Sequence, residues 1–132
     1  MNLNFTLSEL IKSDTATKCG INNMPKDMVV LDNLLLLIIN VLQPLRNYIN
    51  KPIIITSGYR CVELNKKVGG VSNSQHATGQ ACDFIIRGMS IEQIIDTVKK
   101  SGIKYDQCIN EYNQWCHISY NQKNNRQQCF KL

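Results

Sequence analysis

The chain has 132 residues, of which 43% are hydrophobic, and it carries a formal net charge of +5. This length is typical of one domain around one core, and the composition excludes a disordered or collagen-like chain. The dispersed lysines and arginines indicate solubility first and attraction to an anionic surface second. They lack the aromatic-interleaved basic stripe of a nucleic-acid-binding protein.

The N-terminal segment "MNLNFTLSEL" lacks the basic region and the long apolar stretch of a signal peptide, so we expect a protein made in the cytoplasm. Thr6 followed by Glu9 is the pattern of a capping box and predicts a short helix. The polar stretch from Ser13 to Pro25 predicts a loop.

A long helix is predicted after Pro25, because apolar residues recur there at intervals of three and four. They cover most of the helix circumference, which predicts a buried helix. Its most apolar run, "LLLLIINVL", is shorter than the roughly 20 residues of a membrane span. We therefore predict a core helix and no membrane span, with Pro44 bending the helix or marking its last turn. The apolar positions are Val29, Val30, Leu34, Leu37, Ile38, Val41, Leu42 and Leu45.

Strands with one interposed helix are predicted in the second half of the chain. The strand-like segments are "IIIT", "QACDFII", "YDQCINEY" and "QWCHISY". Ser90 and Gln93 predict the start of a helix that Gly102 ends. Helices followed by strands predict an α+β fold with N-terminal helices packed on a small, mostly antiparallel sheet. We expect one domain over residues 1–132, with residues 121–132 as a loosely held tail.

Six cysteines are present, but none forms a CxxC pair, which excludes a zinc ribbon. Without a signal peptide we expect reduced thiols. Cys82 and Cys116 directly precede Asp83 and His117, and neighbours along a strand point to opposite faces. These two thiols are therefore predicted to be small buried hydrophobic groups, with a disulfide or a thiolate ligand as the alternatives.

Both histidines of the chain lie near strand-like segments, and one of them precedes an aspartate by seven residues. His76, Asp83 and His117 provide two imidazoles and a carboxylate, a ligand set that leaves a position for water on catalytic zinc. Gly79 would let the loop from His76 turn into the strand at Asp83. The spacing alone also fits a surface histidine or a hydrogen-bonded core histidine, so metal binding is a hypothesis at this point.

The segments "SGYR", "VGG", "SQHATGQACD" and "WCHIS", taken together, resemble the zinc D-Ala-D-Ala carboxypeptidases and related phage endolysins, including the L-alanyl-D-glutamate endolysins. That family shares the Hedgehog-type DD-peptidase fold. The resemblance extends from Phe5 to about Tyr120. It implies that zinc is the cofactor and that its ligands are His76, Asp83 and His117.

The same resemblance implies roles for residues around the ligands. Ser74 and Gly79 would shape the ligand loop, and Arg60 resembles the family's arginine that faces the substrate. The forked donors of an arginine suit a carbonyl oxyanion or a peptide carboxylate. Ser74, Tyr59 and Trp115 are further candidates for substrate contact, although aromatic residues beside a site often belong to the core.

The general base is the point at which the sequence departs from many relatives, which carry a glutamate three residues before the last ligand. Gln114 holds that position here, and an amide cannot take a proton from water. Glu111 is the nearest carboxylate upstream, at an offset found in relatives with a shorter domain. A three-residue loop over 112–114 would pair Glu111 with Trp115 and place both on the face of His117. Asp106 is the other candidate base.

We therefore predict a zinc metallopeptidase that hydrolyses peptidoglycan stem peptides at a D-amino acid through a metal-activated water. It would act as a D,D-carboxypeptidase or as an endolysin-type endopeptidase, as a monomer and without nucleic acid. A phage or prophage enzyme that reaches the cell wall by release or delivery fits the missing signal peptide. The alternative is a non-catalytic zinc-containing module of a phage particle, which needs no base and which Gln114 makes credible.

Overall fold

A five-stranded sheet with helices packed on it forms the fold in the computed structural model, which describes residues 3–132. The strands lie in the order β1-β2-β4-β3-β5, and all the pairings are antiparallel except that of β3 with β5. The predicted α+β class with a mostly antiparallel sheet is confirmed. The strands are β1 (Ile54–Ser57), β2 (Ala81–Ile85), β3 (Gln107–Glu111), β4 (Trp115–Ser119) and β5 (Gln128–Lys131). The helices are α1 (Leu7–Ile11), α2 (Asp14–Cys19), α3 (Met28–Leu37), α4 (Gln43–Ile49), α5 (Val62–Lys67) and α6 (Ile91–Ser101).

Side-chain caps define the helix ends that the sequence predicts. The hydroxyl of Thr6 accepts a hydrogen bond from the backbone N–H of Glu9, whose carboxylate accepts one from the N–H of Thr6. Ser90 and Gln93 form the same reciprocal box at the start of α6. The stretch predicted as a loop contains α2 instead, because Ser13 caps a further short helix there.

The predicted long helix is a continuous helical stretch, Met28–Ile49, in which a π-helical turn (Ile38–Leu42) joins α3 to α4. Pro44 lies in the first turn of α4, and a wider turn just before it relieves the clash that a proline ring makes inside a regular helix. The predicted burial of this helix holds for one side of it and not for the other. Only one side packs against the rest of the domain, and Leu35 and Ile39 are exposed on the other.

By length and composition alone, the stretch Met28–Ile49 is apolar enough to cross a membrane. Its inward-facing side chains, however, form the centre of the hydrophobic core and pack with Phe84 of β2 and Ile94 of α6. This is the environment of a core helix, as the sequence predicts. The fully buried members are Leu34, Leu37, Val41 and Leu42.

The core-facing side of the sheet carries the thiols that directly precede Asp83 and His117 in the sequence. Cys82 and Cys116 are fully buried, and all six cysteines are free. The prediction that these two side chains point into the core is confirmed. Burial raises the pKa of both thiols well above the ordinary range, so they are neutral apolar groups.

The C-terminal segment is not a loose tail, contrary to expectation. Residues 128–131 form the edge strand β5, parallel to β3. Upstream of it the buried carboxylate of Asp106 accepts hydrogen bonds from the backbone N–H of Arg126 at 2.9 Å and from its Nε and Nη2 at 2.8 Å each. These bonds from Arg126 lower the pKa of Asp106 to about 2. The ion pair joins residues 20 positions apart, so no local sequence pattern reveals it.

The turn after β1 lies directly against the end of α1. The backbone N–H of Tyr59 donates to the carbonyl oxygen of Leu10 at 2.6 Å. A Cβ atom added to Gly58 would lie 2.1 Å from that same oxygen, so only glycine permits this approach. The turn therefore has a fixed position relative to the N-terminal helix.

Replacing Gly58 by Ala should destabilise the protein by about 3 kcal/mol, because backbone atoms of α1 must move away from the new methyl group. Chemical denaturation measures the loss. Gly20→Ala is the matched control, since its positive φ costs about 1 kcal/mol but its Cβ meets no neighbouring atom. Equal losses in the two variants would contradict the close approach at Gly58.

Asp106→Asn should cost stability at neutral pH and cost progressively less in acid. The pKa of Asp106 falls from its ordinary 3.8 to about 2 on folding, so its ionic contribution is complete above the unfolded-state value. That contribution is lost as the pH falls through the folded-state value. Denaturation of both proteins between about pH 6 and pH 2 checks this. A difference in unfolding free energy that stays constant over the range would contradict it.

Candidate metal centre

Two of the predicted ligands face each other across neighbouring strands. Asp83 on β2 is the direct antiparallel partner of His117 on β4, so both side chains leave the same face of the sheet. The Nδ1 atom of His117 lies 3.0 Å from Oδ1 of Asp83. The sheet register alone brings this pair together.

The third predicted ligand arrives from the turn before β2. The Nε2 atom of His76 lies 3.2 Å from Oδ1 of Asp83. All three side chains are buried, and one ligand atom from each of His76, Asp83 and His117 lies within 4.8 Å of the others. The structure therefore brings together the three residues that the sequence singles out.

Hydrogen bonds fix the orientation of His76. Its Nδ1 lies 2.8 Å from the carbonyl oxygen of Gly58, which can only accept, so Nδ1 carries a proton and Nε2, which faces Asp83, is the nitrogen that would bind a metal. The hydroxyl of Ser74 accepts a hydrogen bond from the backbone N–H of His76 at 3.2 Å. Gly79, with φ +78°, turns the chain toward β2, as expected for this position.

The donor set fits zinc. Burial by itself would raise the pKa of Asp83, but hydrogen bonds to His117 and His76 outweigh it and hold the pKa at about 2. The carboxylate is therefore charged while it faces two imidazole nitrogens. Two neutral imidazoles and one carboxylate are the ligand chemistry of catalytic zinc sites, which leave room for water.

Glu111 reaches the same group of residues because of the hairpin between β3 and β4. Glu111 pairs with Trp115, and the three-residue loop between them has left-handed backbone at Tyr112 and Asn113. The Oε1 atom of Glu111 lies 3.5 Å from Nδ1 of His117. Burial and the charge of Asp83 raise the pKa of Glu111.

Gln114, in contrast, does not face the cluster. It is exposed in the hairpin loop and lines a separate depression formed with residues 85–92. The position at which many relatives carry their glutamate therefore points away from the ligands here, and Glu111 takes the place beside them.

Two buried donors near the cluster have no hydrogen-bond partner among residues 3–132. They are Nε of Arg60 and Nε1 of Trp115. Nη2 of Arg60 lies 3.5 Å from Oγ of Ser74, and its backbone N–H donates to the carbonyl of His76. Burial lowers the pKa of Arg60, and the nearby charges of Asp83 and Glu111 oppose that shift. Unpaired buried donors are costly, so a bound molecule is the natural partner for them.

These residues line one cleft with a volume of about 660 Å³. Ser74 and Trp115 lie in it, as expected. The expectation for Tyr59 needs correction: its side chain belongs to the hydrophobic core, because its backbone is held against α1. Asp106 also borders the cleft, but its carboxylate is occupied by Arg126 and by Gln75.

Sequence reasoning missed one wall of the cleft. Asn121, Asn124 and Arg126 line it from the C-terminal segment, and Gln107 lines it from β3. The polar composition that predicts a loose tail is also the composition of a solvent-facing wall. The bond between Asp106 and Arg126 fixes this wall, but the sequence does not reveal it because the two residues lie 20 positions apart.

Comparison with known proteins gives one family. No curated protein matches the chain. The sequence pattern of the family described as peptidase M15 matches residues 3–119, which include the three candidate ligands, Arg60 and Glu111. The match covers most of the chain and agrees with the resemblance to the zinc D-Ala-D-Ala carboxypeptidases. This chain belongs to the peptidase M15 family.

Proposed function

We propose that the protein is a zinc peptidase that hydrolyses peptidoglycan stem peptides at a D-amino acid. The observation that carries the proposal is the convergence of His76, Asp83 and His117 in one cleft with a carboxylate and an unpaired guanidinium nitrogen. Membership of the peptidase family supports hydrolysis of a peptide bond. The proposed substrate class rests on the resemblance to the cell-wall peptidases.

The metal would be held by Nε2 of His76, Nδ1 of His117 and the carboxylate of Asp83. Zinc bound in such a site lowers the pKa of a coordinated water and polarises a carbonyl group. The hydrogen bond from His76 to Gly58 keeps the correct nitrogen free for this purpose. Asp83 stays ionised throughout the neutral range.

Glu111 is the proposed general base. Its carboxylate would take a proton from the attacking water as the new carbon–oxygen bond forms. The same proton would then pass to the amine nitrogen as the carbon–nitrogen bond breaks, which leaves Glu111 ionised again. The position of Glu111 next to His117 places its carboxylate beside the ligands.

Arg60 is the proposed electrostatic partner of the substrate. Its buried Nε has no protein partner within residues 3–132, and its side chain lines the cleft. A guanidinium in this position would stabilise negative charge on a carbonyl oxygen or hold a peptide carboxylate. The indole N–H of Trp115 offers a second donor in the same cleft.

The non-catalytic alternative rests on Gln114, which holds the position where many relatives carry the glutamate base. Gln114 is exposed outside the cleft and Glu111 lies beside the ligands, which supports the catalytic proposal over that alternative. We further propose that the enzyme acts as a monomer on the cell wall after release or delivery, as a phage or prophage enzyme would.

The first prediction from this proposal concerns the metal. The purified protein should bind one zinc ion per chain, and a chelator should abolish release of peptide fragments from peptidoglycan until zinc is added back. His117→Ala removes a ligand. Zinc affinity should therefore fall by more than the roughly 10–100-fold that follows the loss of a residue that only orients a ligand. Elemental analysis and mass spectrometry of digested wall measure both effects. Full activity after complete removal of metal would refute the zinc mechanism.

The second prediction separates catalysis from metal binding. Glu111→Gln should lower kcat by about 10²–10⁴-fold, because the amide cannot accept the proton, while one zinc per chain remains. The matched control is Gln114→Ala, which changes an exposed residue three positions away and should leave kcat unchanged.

The double variant Glu111→Gln, Gln114→Glu tests the assignment further. It should stay inactive, because residue 114 faces away from the ligands. Recovery of activity in the double variant, or full activity of Glu111→Gln, would show that the base is misassigned.

A further inference from the structure

The cleft has a second wall that the peptidase chemistry does not use. The turn of residues 71–76 lines the cleft with Ser74 and His76. The C-terminal segment lines it with Asn121, Asn124 and Arg126. This segment begins just beyond residues 3–119, where the match to the peptidase M15 family ends.

The wall is firmly held by its backbone. The N–H of Tyr120 donates to the carbonyl of Gln80, and the N–H of Gln127 donates to the carbonyl of Tyr105. Within the segment, the side chain of Asn125 accepts a hydrogen bond from the N–H of Asn121 at 2.8 Å. Both ends and the middle of the segment are thus fixed.

An ion pair between the buried Asp106 and the exposed Arg126 then joins the wall to the turn that carries His76. Asp106 is only 1% exposed, and its carboxylate accepts four hydrogen bonds. Three come from the backbone and the guanidinium of Arg126, and the fourth comes from Nε2 of Gln75 at 2.8 Å. Gln75 directly precedes His76, so one carboxylate holds the two walls of the cleft at a set separation.

The side chains that the wall presents are suited to peptide groups. Asn124 is exposed at the cleft, and its side chain makes no hydrogen bond to residues 3–132. A carboxamide offers one acceptor and two donors, which match the N–H and C=O groups of an extended peptide. Asn121 uses its side-chain oxygen to accept from the N–H of Lys123, and its NH₂ group has no partner among the described residues 3–132.

We infer that residues 120–126 form a specificity-determining wall, in which Asn121 and Asn124 bind the backbone of a stem peptide extending beyond the scissile bond. Asp106 and Arg126 are positioning residues that hold this wall on the ligand turn. The inference rests on the proposed function and adds the length of peptide that the enzyme recognises. A substrate that covers only the reacting bond does not reach the wall.

Equilibrium binding tests the inference without turnover. The parent protein is the zinc-loaded Glu111→Gln variant, and the probes are a peptidoglycan stem pentapeptide and a D-alanyl-D-alanine dipeptide, both measured by calorimetry. Adding Asn124→Ala should weaken pentapeptide binding about fivefold relative to the dipeptide, the effect of losing one neutral hydrogen bond. The matched control is Lys123→Ala, a neighbouring exposed side chain that does not line the cleft and should not change this ratio.

The positioning role is tested with Arg126→Lys, which keeps the charge but removes the forked contact to Asp106. It should reduce pentapeptide binding relative to the dipeptide, with one zinc per chain retained, because Gln75 still holds the ligand turn. Equal weakening of both peptides, or no weakening in either the Asn124 or the Arg126 variant, would overturn the inference. If the parent protein binds neither peptide, the proposed function itself fails and the inference with it.

Discussion

The register between β2 and β4 is the constraint on which the site depends. Asp83 lies opposite His117, and Cys82 and Cys116 point to the other face of the sheet, into the core. A slip of β2 by one residue would turn Cys82 toward the cleft and Asp83 toward the core. Burial of an apolar face therefore fixes the metal ligands, although no apolar residue belongs to the ligand set.

His76 depends on a different part of the molecule. Its imidazole is oriented by the carbonyl of Gly58, and the turn at Gly58 and Tyr59 is hydrogen-bonded to Leu10 at the end of α1. The N-terminal helix therefore supports the site through two backbone contacts without reaching it. Arg60 comes from the same turn, so one local structure positions a ligand and the candidate substrate contact.

The elements that follow from local chemistry could be predicted from the sequence. The capping boxes at Thr6 and Ser90 mark helix starts, and the three-residue loop after Glu111 sets which side chains share a face with His117. These features depend on neighbours in sequence, which a single chain displays. The full ligand set is what the resemblance to the zinc D-Ala-D-Ala carboxypeptidases implies, since the spacing of the three residues alone also fits other roles.

Other features depend on contacts between distant residues and could not be predicted. Arg126, just before the edge strand β5, is bonded to Asp106, and the backbone of Tyr59 is bonded to Leu10. One side of α3 is exposed because no other element within residues 3–132 packs against it. The apolar pattern of the helix does not show how many of its sides are covered. The polar composition of residues 121–132 predicts a loose tail, because a solvent-facing wall and an unstructured tail have similar composition.

Anomalous X-ray diffraction at the zinc absorption edge, on crystals grown with zinc, tests the central claim most directly. We predict one strong peak, from a zinc ion within bonding distance of Nε2 of His76, Nδ1 of His117 and a carboxylate oxygen of Asp83. Its fourth position should be open to the cleft beside Glu111. A peak elsewhere, or an ion whose four positions are all filled by protein atoms, would contradict it.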